Sequence, residues 1–205
     1  MGNVIRVLLV HDACLLRSAL AERLAREPDL EVQHSAWRGA PALARLWSPD
    51  VCAADLDCSE SYGIAPLGEL TGCRPGTGKC RLLVLADAHR PGPLKRAADA
   101  NARGYVDKGG TPEHLVFAIR QVAEGKRFVD DSLGFSFLRA AEMPLTRREL
   151  SVLSLAAEGA SVSDIAHRLH LSNGTVRNYM AAITRKTGAR NRVDAIRISQ
   201  GEGWV

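Results

Sequence analysis

Long apolar runs are missing from this 205-residue chain. None approaches the ~18–20 residues that a membrane-spanning helix needs, so no membrane partner is expected. The early run Val7–Val10 is broken at once by His11-Asp12, too soon for the core of a secretory leader. Arg6 stands where a myristoylation motif wants Ser or Thr. The five cysteines, Cys14, Cys52, Cys58, Cys73 and Cys80, are odd in number and include no Cys-x-x-Cys. Neither a disulfide framework nor a zinc site follows, and reduced thiols in a cytoplasmic protein are the expectation. Cys73 and Cys80, flanking a Gly/Pro loop, are the pair that oxidation would join. There is no Gly-rich phosphate loop, metal-binding helix motif or nucleophile–base motif, so the chain does not read as an enzyme.

Net charge is small, +4, but unevenly placed. Residues 143–205 hold nine Lys/Arg against five Asp/Glu, while residues 1–142 hold eighteen of each. The whole surplus therefore lies in the last third, where a phosphate-bearing partner would be met.

That last third contains SVSDIAHRLHLSNGTVRNYMAAITRK, residues 161–186. Ile165, Ala166 and Leu169 recur at helical spacing. After a turn, Ser172 can cap a second helix by accepting from the amide of Gly174 or Thr175. Val176, Met180 and Ile183 then fall on one face. Arg177, Asn178, Ala181, Thr184 and Arg185 fall on the other. Two short helices, a tight turn and a basic, amide-bearing outer face are the parts of a helix-turn-helix reader.

The first 125 residues alternate in type. Apolar runs at 4–10, 31–36, 50–55, 81–86 and 104–107 read as strands, with helical stretches between and after them. Thr111-Pro112 opens the helix that stops at Gly125. Five such alternations predict an α/β, doubly wound, five-stranded parallel sheet. Chemistry in such sheets lies at the carboxyl ends of the strands, which is where Asp12, Asp55 and Lys108 fall.

The run Leu145-Thr146-x-Arg148-Glu149-x-x-Val152-Leu153, with Gly159, Ile165-Ala166-x-x-Leu169, Ser172-x-x-Thr175-Val176-Arg177-Asn178-Tyr179 and Lys186, resembles the LuxR-type helix-turn-helix. Ile5–Asp12, Pro49-Asp50-Val51 through Asp55, and Gly104-Tyr105-x-x-Lys108 resemble the receiver domain of two-component response regulators. Together they make the chain similar to NarL/FixJ response regulators, the DesR-like members in particular.

The resemblance implies a flavodoxin-like receiver over 1–125, a linker over 126–144, and an all-α DNA-binding domain over 145–205. Phe128, Leu133, Phe135, Phe137 and Leu138 would form a short packing helix in the linker. It implies a DNA-binding transcription regulator, active as a homodimer on double-stranded DNA, modulated by a sensor histidine kinase that phosphorylates Asp55. Asp12, Asp55 and the carbonyl of Asp57 would hold Mg²⁺, and Lys108 would pair with the phosphoryl group. Ala86 and Tyr105 occupy the switch positions. Ser172, Thr175, Arg177, Asn178, Ala181, Arg185 and Lys186 would meet DNA, with Arg177 and Asn178 on base edges. The chain departs from the pattern at three places. His11 replaces the first of two acids, Ala86 replaces a hydroxyl residue, and Cys58-Ser59 replaces Met-Pro after Asp55. The implied Mg²⁺ binding is therefore weak, and the alternative is a phosphorylation-independent regulator whose receiver serves dimerisation or ligand sensing.

Overall fold

A computed structural model describes residues 4–57, 67, 69–70 and 80–205; for Arg147 it describes the backbone. The expected helix near Ile64–Leu70 lies mostly outside them, as do Cys58-Ser59, Cys73 and the Gly/Pro loop. The chain divides into two units. One holds the described residues up to Ala88 together with Pro93–Leu138, and the other holds His89–Gly92 and Arg139–Val205.

The first unit is built on parallel strands β1 (Ile5–Val10), β2 (Leu30–Ser35), β3 (Val51–Asp55), β4 (Arg81–Ala86), β5 (Gly104–Asp107) and β6 (Phe128–Val129). Their order is β2-β1-β3-β4-β5-β6. Central strands of a sheet covered on both faces need continuous apolar runs, and all five residues of β3 are buried. Its helices include α1 (Cys14–Leu24), α2 (Ala40–Trp47), α3 (Pro91–Asp99, the first two residues of which belong to the other unit) and α4 (Pro112–Ala123). Val7, Leu9, Leu24, Leu83, Val106 and Ile119 are central to the core.

Two expectations need correction. Among the described residues the sheet has six strands, because the chain turns at Gly125 (φ +88) and runs back beside β5. Two residues are too few to leave a periodic signal. The linker is also not one packing helix: Phe128 is in β6, Leu133 ends a 3-10 turn (Asp131–Leu133), and only then does α5 (Gly134–Ala141) begin. Leu133, Ser136 and Ala140 are buried, leaving Phe135 and Leu138 71% and 66% exposed. A single two-turn helix buries one stripe, and these two side chains lie off it. Leu16, in α1, is 59% exposed.

The second unit contains α6 (Arg147–Ala157), α7 (Val162–Leu169), α8 (Asn173–Thr187) and α9 (Arg192–Gly201). Capping boxes start α6 (Thr146/Glu149) and α7 (Ser161/Asp164), each satisfying amides at both ends of the motif. His170 (φ +53) and Gly188 (φ +67) end α7 and α8 in left-handed geometry. Leu153, Ile165, Val176, Ile183 and Ala195 form the core.

Candidate phosphoacceptor site and nucleic-acid interface

The order β2-β1-β3 puts the topological switch point between β1 and β3, where open α/β sheets form crevices. His11 and Asp12 follow β1 there, and Asp55 ends β3. Lys108 comes from the turn after β5. Asp55 is 3% exposed, so its carboxylate needs partners. Lys108 Nζ donates to Oδ1 at 2.9 Å, as does the Asp57 amide at 2.9 Å. His11 Nε2 lies 2.9 Å from Oδ2. The Ala13 amide donates to His11 Nδ1 at 3.0 Å, so a neutral ring carries its proton on Nε2 and donates it to Asp55. Both carboxylate oxygens are thus held by N–H donors.

Lys108 also pairs with the side chain of Asp57. Burial would lower its pKa, but hydrogen bonds and charge from Asp57 and Asp55 outweigh that and hold it above the ordinary lysine value. The ammonium is therefore a fixed cation.

Asp12 Oδ1 accepts the Trp37 amide at 2.9 Å, and the Trp37 indole donates to the Asp55 carbonyl at 3.0 Å. This arrangement does not fit Mg²⁺ in the way expected of Asp12, Asp55 and Asp57. Magnesium requires close, near-octahedral oxygen ligands, whereas Asp55 faces an imidazole and an ammonium. Among the described residues no group of three or more His, Cys, Asp or Glu is arranged so that it could hold a metal ion.

Ala86 is fully buried and its carbonyl accepts the Lys108 amide at 3.0 Å. Tyr105 is buried, which raises its pKa against the small opposing effect of Arg127. Its ring meets Phe137 of α5 edge-on, with centroids 4.9 Å apart.

In the second unit Ser172 caps α8, accepting the Thr175 amide at 3.0 Å, and its hydroxyl shares a 2.8 Å bond with that of Thr175. Val176 and Ile183 are buried beneath α8. Arg177, Asn178, Ala181 and Arg185 lie on the exposed side. Among the described residues no hydrogen bond or ion pair engages the side chains of Arg177, Asn178 or Arg185. Lys186 differs: its Nζ donates at 2.8 Å to Glu149, which is 4% exposed. Burial would raise the Glu149 pKa, but Lys186 and the Thr146 amide and hydroxyl prevail and hold it low.

Residues 143–199 match the family described as "Bacterial regulatory proteins, luxR family". Over whole chains, the protein is 50% identical to the response regulator RamR of Streptomyces coelicolor, covering 100% of both. It is 36% identical to the transcriptional regulatory protein DesR of Bacillus subtilis, over 98% of this chain and 99% of that one. The chain belongs to the response regulators with a LuxR-type helix-turn-helix. A solved structure of the RcsB response regulator of Salmonella typhimurium shares the fold at 22% identity and TM-score 0.67, covering 98% of this chain and 99% of that one.

In this response regulator the structure brings Asp55 and Lys108 together at one sheet edge, beside three residues whose contacts there sequence reading did not give. His11 was read only as a departure that weakens Mg²⁺ binding, yet it donates to Asp55. Asp57 was read for its carbonyl, yet its carboxylate meets Lys108. Trp37 was not singled out, although an isolated tryptophan just after a strand at the carboxyl edge was a signal. Glu149 was seen as part of a motif, without its bond to Lys186.

Proposed function

We propose that this DNA-binding transcription regulator reads paired half-sites on double-stranded DNA as a homodimer. In this reading 145–205 is the reading domain, 126–144 the linker and 1–125 the receiver, and a sensor histidine kinase modulates binding through Asp55. The observation that carries the DNA reading is the strip Arg177, Asn178, Ala181 and Arg185: exposed, on one helix, and, among the described residues, without internal partners for its polar members. Arg177 suits guanine O6 and N7, Asn178 suits adenine N6 and N7, and Ala181 offers apolar contact to a thymine methyl. Ser172, Thr175 and Arg185 are set for phosphates. Lys186 belongs with the scaffold, because its ammonium is committed to Glu149.

At the receiver, transfer requires an oxygen of Asp55 to attack phosphorus as the donor's P–N bond breaks, giving an aspartyl phosphate. That oxygen must first leave His11 or Lys108, so transfer is slow. The closed group His11–Asp55–Lys108–Asp57 favours the second reading, in which the receiver works without phosphate. The two separate on incubation with acetyl phosphate and Mg²⁺ followed by intact mass. Partial labelling lost in Asp55→Asn supports modulation by phosphate. No labelling, together with regulation in cells unchanged by Asp55→Asn, assigns the phosphate-independent mode. For the interface, a duplex selected from a random pool should bind wild type and lose discrimination against random duplex in Arg177→Ala.

A further inference from the structure

A cavity of about 400 Å³ opens between α1 and the start of α4, within the first unit. Leu85 and Val106 of the sheet and Leu115 of α4 line it from one side, and Leu16 and Leu20 of α1 from the other. Leu85, Val106 and Leu115 are buried, whereas Leu20 is half-buried and Leu16 is exposed. The volume falls within the range of small-molecule sites, roughly 300–1,000 Å³. A dry apolar cavity of ~150 Å³ holds one benzene, so this one has room for about two to three rings.

The cavity follows from the sequence of α1. Leu16, Leu20 and Leu24 recur every fourth residue, a row that winds slowly round a helix. Leu24 is fully buried against the sheet, and four and eight residues earlier the row has swung outward, leaving Leu20 and Leu16 over this space. Arg23 donates to Glu113 of α4 at 2.8 Å, which holds the two helices together beside it.

The polar groups decide the ligand's charge, because all five polar side chains of the lining are already engaged. His11 meets Asp55 through one ring nitrogen and the Ala13 amide through the other. Lys108 pairs with Asp55 and Asp57, and Arg23 with Glu27 and Glu113. Asp107 accepts the Gly109 amide at 3.0 Å on Oδ1 and the Ser132 hydroxyl at 2.9 Å on Oδ2. The Thr111 hydroxyl bonds Glu113 and accepts the His114 amide at 3.3 Å. A charged ligand group would lose its water here and either displace one of these bonds or stay unpaired, which is costly. Anions meet a further penalty: counting these partners, five carboxylates surround two cations. An uncharged apolar molecule displaces nothing and gains by covering Leu16, Leu20 and Leu115.

We propose that this cavity binds an uncharged, apolar molecule of two to three rings or the equivalent branched hydrocarbon, seated between Leu16 and Leu20 of α1 and Leu115 of α4. The site rests on neither the DNA reading nor either reading of Asp55, since occupancy breaks no bond of His11 or Lys108.

The test is titration of the full chain with N-phenyl-1-naphthylamine, an uncharged fluorophore of three rings. One saturable site per chain is expected. Three smaller competitors then share one ring system: 1-methylnaphthalene, naphthalene-1-sulfonate and trimethyl(naphthalen-1-yl)ammonium. The uncharged one should displace the fluorophore at least tenfold more readily than either ion. Ala19→Trp and Leu16→Trp, at lining positions on the accessible side of α1, should each weaken the fluorophore at least tenfold. Leu15→Ser removes an exposed leucine of the same helix that lies outside the lining and should leave binding unchanged. Circular dichroism of each variant establishes that it is folded, and either folded tryptophan variant suffices for the comparison. Binding that does not saturate, that survives filling of the cavity, or that is lost equally in Leu15→Ser overturns the site. Displacement by either ion as readily as by 1-methylnaphthalene overturns the uncharged ligand class.

Discussion

The polar groups of the candidate phosphoacceptor site face one another, whereas those of α8, the proposed reader helix, face outward. Asp55 is buried and both its oxygens hold N–H donors; Arg177, Asn178 and Arg185 are exposed and, among the described residues, their side chains hold no partner. A closed constellation resists a newcomer, because any ligand must displace an existing hydrogen bond. An open strip keeps its donors hydrated and exchanges water for base edges at small cost. Lys186 joins the two kinds of region: it sits on the reader helix but behaves like the receiver's Lys108, neutralising a buried acid.

The sharpest way to break this comparison is to remove that acid. Glu149→Ala deletes one half of a capping box and leaves Lys186 without its carboxylate. Hydrogen bonds to charged groups contribute about 1.5–3 kcal/mol each and a lost cap about 1. A loss of about 2–4 kcal/mol is expected, less for the partial exposure of Lys186. Adding Lys186→Met should cost little further. Amide exchange in α6 and α8 measures both, and an additive pair of losses would mean that the two residues act separately.

A smaller effect is expected at the open strip. Arg177→Ala should weaken binding to a selected duplex by about 1–3 kcal/mol, with little loss on random duplex. Fluorescence anisotropy against both DNAs reads this. Equal losses on the two would make Arg177 a phosphate contact.

Salt dependence separates Arg185 from Lys186. Each phosphate contact contributes about 0.9 to the slope of log affinity against log salt. Arg185→Met should reduce the slope by about that amount. Lys186→Met should leave the slope almost intact and weaken the helical unit instead. The reverse pattern would put Lys186 on DNA and remove it from the scaffold.

The contrast also explains which parts could be read from the residues. The helix-turn-helix lies in one continuous segment, where capping residues and apolar spacing are local. Ser172, Val176 and Ile183 therefore fell where capping and periodicity put them. The receiver site is assembled from residues up to 97 positions apart, His11 to Lys108. Alternating apolar runs gave β1 to β5 and brought Asp12, Asp55 and Lys108 to one sheet edge. They could not give the direction of the His11 ring, which rests on the Ala13 amide, or the indole bond from Trp37. Likewise β6 was hidden because two residues carry no period. The exposed positions of Phe135 and Leu138 were hidden because a two-turn helix has one buried stripe and several candidates for it.

The smallest effect expected is a pH dependence confined to the second unit. The folded Glu149 carboxyl titrates below its ordinary value of 4.5, because Lys186 and Thr146 hold the ionised form against the opposing effect of burial. A depressed carboxyl contributes stability that is present above the unfolded value and lost as pH falls through the folded one. The window therefore opens near pH 4.5 and extends downward. Amide exchange in α6 and α8 should quicken across it in wild type. Glu149→Gln keeps the shape of the side chain and its bonds to Thr146 but cannot titrate, so its α6 and α8 should start less protected and change less with acid. If wild type and Glu149→Gln lost protection in parallel from pH 5 to pH 3, the acid sensitivity would belong to other carboxylates. Asp164 and Asp194 would be the first to test, since both are also held low, by hydrogen bonds from the Ser161 hydroxyl and amide and from the Arg190 amide and Arg197 side chain respectively.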